Sequence, residues 1–125
     1  MSHSLRKPVV LVADDDEALR QAVAVVLSEA GFDIALASNG ERTLEALDHG
    51  ARPAVVLLDL MMPGVTGWEV LDLMQQRADL ADIPVIVLTA HGAQPGLPAG
   101  CRVLHKPFER EVLLAELRAL TADAA

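Results

Sequence analysis

The chain has 125 residues, enough for one domain with its own core. A net charge of −8 argues against a nucleic-acid surface, which needs a basic patch. The single cysteine, Cys101, excludes an internal disulfide or a cysteine-based zinc site and reads as a buried reduced thiol. No segment approaches the ~20 apolar residues of a membrane span, and no apolar stretch long enough for a signal peptide follows the start MSHSLRKP.

Strand and helix patterns alternate, which predicts a parallel sheet with helices on both faces. Val9 to Ala13 is continuously apolar, as a strand buried on both faces should be. A helix follows from about Asp16 to Ala30, with Leu19, Val23, Val26, Leu27 and Ala30 at helical spacing and Gly31 as its terminator. Asp33 to Ala37 reads as a short edge strand. Ser38 with Glu41 forms a candidate capping box for a second helix ending near Gly50. Ala54 to Leu58 is the central strand.

Thr66 with Glu69 is a second capping box, opening a helix with Val70, Leu71 and Met74 inward. Pro84 to Leu88 and Arg102 to His105 supply the last two strands. Phe108 to Leu120 closes the domain, with Val112, Leu113, Leu117 and Leu120 as its buried stripe. Where a helix is expected between those strands, HGAQPGLPAG holds three glycines and two prolines. A regular helix there is disfavoured.

Four of the apolar runs end in residues suited to a phosphoryl group: Asp14, Asp15 and Asp16, then Asp59, Thr89 and Lys106. Parallel strands would bring these carboxyl ends to one edge, where open α/β sheets bind ligands. Two carboxylates ~4 Å apart repel by ~4 kcal/mol at an intermediate dielectric, a cost that a cation removes. An all-oxygen site with room for water suits Mg²⁺. Asp16 equally reads as the helix cap, leaving Asp14 and Asp15 as the metal acids. A carboxylate such as Asp59 can form an acyl phosphate, Lys106 can neutralise phosphate oxygens, and Thr89 can donate its hydroxyl. Each has a plainer reading alone: loop-starting aspartate, solvated lysine, strand-end threonine.

Val-Leu-Val-Ala-Asp14-Asp15-Asp16, Leu-Leu-Asp59-Leu-Met-Met-Pro-Gly-Val-Thr-Gly-Trp, Val-Leu-Thr89-Ala90 and Lys106-Pro107-Phe108 resemble the receiver domain of bacterial two-component response regulators. The likeness runs in order from about Val9 to Leu120. It implies a flavodoxin-like five-stranded parallel sheet in order 2-1-3-4-5 with helices on both faces. On this likeness residues 8–121 form the receiver domain, and residues 1–7 and 122–125 are tails.

The resemblance also implies site roles. Asp59 would take a phosphoryl group from a phosphohistidine of a sensor histidine kinase or phosphotransfer protein. Asp15, Asp59 and the backbone carbonyl of Met61 would bind Mg²⁺, with Asp14 assisting through water. Thr89 would move toward the phosphoryl group and Lys106 would pair with it, across a cis Lys106–Pro107 bond. Met61 and His91 match variable positions flanking the pocket. A cytoplasmic protein acting on a further protein target follows, with no nucleic-acid or membrane partner for this segment. It could be a stand-alone regulator, a phosphoryl shuttle, or a receiver cut from a larger protein.

Two departures stand out. The Thr89 to Lys106 interval is shorter than the family's by about one helical turn, so the fourth helix is expected to be short or absent. The aromatic residue three before the lysine, used in the family's switch, is Val103 here. The expectation is that the Gly/Pro segment itself orders on phosphorylation.

Two other functions compete. Asp14-x-Asp16 also fits the start of a haloacid-dehalogenase-type phosphatase. That chemistry needs an acidic pair beyond Lys106, where only Glu109, Glu111, Glu116 and Asp123 follow, and it would leave Asp59 idle. A receiver-like binding module working without phosphorylation would not need the full acid, threonine and lysine set.

Overall fold

The computed structural model describes residues 7–90, 95–98 and 100–121. Five parallel strands form one sheet: β1 (Val9–Ala13), β2 (Asp33–Ala37), β3 (Val55–Asp59), β4 (Val85–Thr89) and β5 (Arg102–His105). Their order is β2-β1-β3-β4-β5, the doubly wound order that the receiver-domain resemblance implies. Four helices are described: α1 (Glu17–Glu29), α2 (Gly40–His49), α3 (Gly67–Gln76) and α4 (Arg110–Thr121).

Alternation along the strands divides the core in two. Val10, Val12, Val55, Leu57, Ile86 and Leu88 pack with Val23 and Leu27 of α1 and Leu113 and Leu117 of α4. Leu11, Val56, Leu58 and Val87 face the other way, onto Leu47 of α2 and Val70, Leu71 and Met74 of α3. Both β3 and β4 are buried along their whole length, which accounts for their unbroken aliphatic sequence. Strand register then sets the site, because Asp59 pairs with Leu88 and Thr89 with His105 at the same edge.

Local signals explain most helix ends. Asp16 caps α1, its side chain accepting from the Leu19 amide, and Gly31 takes φ 94° just beyond the helix. The Thr66–Glu69 capping box at α3 is complete in both directions. At α2 the cap is Asn39 rather than the predicted Ser38, and its side chain accepts from the Arg42 amide. The box reading matched a Ser-x-x-Glu spacing but missed that Asn39 caps as well and lies one residue nearer the turn.

Two further corrections concern packing. Val112 is exposed, and Leu114 takes its place in the α4 stripe beside Leu113 and Leu117. Cys101 is free but only half-buried, against the α2–α3 side of the core. Burial pushes its thiol above the ordinary value. Among the described residues, no helix lies between β4 and β5; Pro95, Gly96 and Gly100 form turns, and Leu97 and Cys101 pack onto that side of the sheet. His91 and most of either predicted tail lie outside the described residues.

Candidate functional site: an acidic cluster at the strand ends

Asp14 follows β1 directly. Its amide donates to the Ala37 carbonyl at 3.1 Å, so the residue continues the sheet edge past the last strand pair. Its side chain is fully buried. Oδ1 accepts from the Asp16 amide at 3.0 Å, while Oδ2 lies 2.6 Å from Lys106 Nζ. That oxygen is buried without a regularly oriented hydrogen bond. A buried carboxylate oxygen held by an ion pair alone, beside other carboxylates, is a natural cation ligand.

Asp59 ends β3 and is almost wholly buried. Oδ1 accepts from the Met61 amide at 3.1 Å, and Oδ2 is 3.8 Å from Lys106 Nζ. Burial is the largest influence on its carboxyl and raises its pKa above the ordinary 3.8. The neighbouring Asp14 and Asp15 push the same way, against the Met61 amide and Lys106. Asp15 is exposed at the mouth, and carboxylate oxygens of Asp14, Asp15 and Asp59 all lie within 4.8 Å of one another. Three hard oxygen donors this close fit a divalent cation of the Mg²⁺ type.

Thr89, at the end of β4, is buried. Its carbonyl accepts from the Lys106 amide at 2.7 Å, which ties the lysine's backbone to the threonine's strand. The Lys106–Pro107 bond is cis. Met61 keeps its backbone against Asp59 while its side chain is 68% exposed. Met62 and Trp68 pack into the core, as structural residues should.

The sequence reading therefore placed Asp14, Asp15, Asp59, Met61, Thr89 and Lys106 at one edge, and the fold brings all six there. It missed Arg20, whose Nη1 donates to the Asp14 carbonyl at 2.7 Å. No local pattern flags an arginine on α1 as part of a strand-end site. It also gave no reason for Gly67. A Cβ there would stand 2.2 Å from the Asp59 carbonyl oxygen and 2.6 Å from Leu60 Cα, so only glycine lets α3 start this close to β3.

Known proteins resemble this chain in sequence and in fold. The chain is 42% identical over 118 residues to "Response regulator MprA" of Mycobacterium avium, covering 89% of this chain and 50% of the relative. It is 38% identical over 118 residues to the "DNA-binding dual master transcriptional regulator RpaA" of Synechocystis, covering 90% and 48%. The chain thus spans about half the length of these curated relatives. Among solved structures, the chemotaxis response regulator CheY4 of Vibrio cholerae matches with a TM-score of 0.84 at 30% identity, covering 92% of this chain and 99% of that one. The profile of the response regulator receiver domain matches residues 10–118. With that match spanning most of its length, the chain belongs to the response regulator receiver domain family.

Proposed function

We propose that this receiver takes a phosphoryl group on Asp59 from a phosphohistidine of a sensor histidine kinase or phosphotransfer protein, and signals to a further protein by changing conformation. The observation that carries the reading is the burial of Asp59 between two further acids and Lys106. Its carboxylate oxygen attacks phosphorus as the bond to the histidine nitrogen breaks. An acyl phosphate forms and the imidazole leaves. Asp14, Asp15 and Asp59, with the Met61 carbonyl, would hold Mg²⁺. When bound, the ion neutralises the negative charge that the acids and phosphoryl oxygens bring together.

The remaining work falls to the protein. The Met61 amide holds Asp59 Oδ1 and so orients the carboxylate. Lys106, between Asp14 and Asp59, supplies a cation to the transferred oxygens. Thr89 supplies a hydroxyl from the adjacent strand. The domain assists its own phosphorylation and is a signalling element rather than an enzyme acting on a separate substrate. Its boundaries are residues 8 and 121, and its setting is the cytoplasm, where kinases of this kind present phosphohistidine.

The output step departs from the family's aromatic relay. Val103 stands at the ring's position and is 36% exposed, with Leu97 and Cys101 packed on the same side of the sheet. The segment between β4 and β5 therefore carries the change in this reading, and lower hydrogen exchange over residues 95–101 on phosphorylation is the expected sign.

Acetyl phosphate with Mg²⁺ tests the main claim. Intact mass should rise by one phosphoryl group in the natural chain and stay unchanged in Asp59→Asn. A phosphorylated Asp59→Asn would move the acceptor elsewhere. An unmodified natural chain would favour a module that binds without phosphorylation.

A further inference from the structure

Resting on that reading of the acidic cluster, we infer that Arg20 is a positioning residue for the metal-binding acids: its guanidinium locks the peptide plane between Asp14 and Asp15.

Asp14 is held on one side by the sheet, through its amide to the Ala37 carbonyl at 3.1 Å. Its own carbonyl lies past the last β1–β2 pair, Ala13 with Ala37, and has no strand to bond. Arg20 Nη1 reaches back six residues and donates to it at 2.7 Å, a charge-assisted bond. Because the peptide unit is planar, fixing that oxygen also fixes the direction in which the chain enters Asp15. Both peptide planes of Asp14 are then held, one by β2 and one by α1.

The position of Arg20 favours this role over helix stability. It follows the Asp16 cap by four residues, close to the positive end of the α1 dipole. A cation gains nothing there from the helix itself. The reward comes instead from the neighbouring acids and the unpaired carbonyl. Asp15 gains most, because its carboxylate is the exposed member of the cluster and depends on its backbone for placement.

Removing the guanidinium has two opposed effects. Loss of a nearby positive charge favours a bound cation, whereas loss of the lock scatters the donor oxygens. The inference is that placement outweighs charge, as it does for residues that orient metal ligands elsewhere, where such changes weaken affinity about tenfold or more.

Mg²⁺ titration by calorimetry, without any phosphoryl donor, reads this directly in the natural chain, Arg20→Gln and Arg20→Lys. The expected result is about tenfold weaker binding in Arg20→Gln, with partial recovery in Arg20→Lys, which keeps one donor. Phosphorylation by acetyl phosphate should need correspondingly more Mg²⁺ and reach a near-natural rate once saturated. Unchanged or tighter Mg²⁺ binding in both variants would overturn the role of Arg20 while leaving Asp59 as acceptor. Should Arg20→Gln fail to fold, Arg20→Lys decides alone: weaker binding supports the lock, natural affinity refutes it. A natural chain that binds no Mg²⁺ would remove the functional reading and this inference together.

Discussion

Lys106 Nζ sits 2.6 Å from Asp14 Oδ2 but 3.8 Å from Asp59 Oδ2, so in the unphosphorylated protein the lysine is chiefly the partner of Asp14. Asp14 is wholly buried, and the lysine retains one fifth of its exposure. Truncation would leave a buried carboxylate without its cation. Lys106→Ala should destabilise the metal-free protein by about 3 kcal/mol, the low end for breaking a buried pair. Urea unfolding in chelator checks this, and Mg²⁺ should restore more stability to the variant than to the natural chain.

Asp59 makes the opposite contribution. Its carboxyl is raised above 3.8, burial first, so the folded chain holds that proton more tightly than the unfolded chain. Its stabilising contribution is complete below pH 3.8 and is lost as pH rises through the raised folded value. At neutral pH the charged carboxylate is a standing cost. Asp59→Asn keeps an oxygen for the Met61 amide and removes that cost. In chelator it should melt higher than the natural chain at pH 7, and the gap should close below pH 3.8.

Gly67 offers a steric test. The atoms a Cβ would strike are backbone, the Asp59 carbonyl oxygen at 2.2 Å and Leu60 Cα at 2.6 Å, which no rotamer change can move aside. Gly67→Ala should cost about 2 to 3 kcal/mol by thermal unfolding, near the upper end for overpacking. Phosphorylation should slow as well, because the clash displaces the loop that carries Met61.

The α2 cap separates two residues by one position. Asn39→Ala should cost about 1 kcal/mol, since its side chain accepts from the Arg42 amide at 2.8 Å. Ser38→Ala should fall within about 0.5 kcal/mol of the natural chain. Chemical denaturation of the pair distinguishes them.

Asn39 and Ser38 also show where sequence reading reaches its limit. Periodicity and capping chemistry are local, so β1, β2 and β5 and the complete Thr66 box were legible directly. Which of two adjacent capping residues faces the helix depends on how the chain leaves β2, and spacing alone does not carry that. Val112 and Leu114 repeat the lesson: both are apolar, and only the docking of α4 against β3 and β4 decides which one is buried.

By itself the sequence determined the alternation of strand and helix, the acids, threonine and lysine at strand ends, and the breakdown of helix pattern after Thr89. Hydrophobic period and residue chemistry are written along the chain. Only the tertiary structure decided that Lys106 lies nearer Asp14 than Asp59, that Arg20 reaches back to the Asp14 carbonyl, and that Gly67 must lack a Cβ. Those relations are distances between segments far apart or turned back on themselves. They arise when the sheet closes its register and the helices dock, and no local preference encodes them.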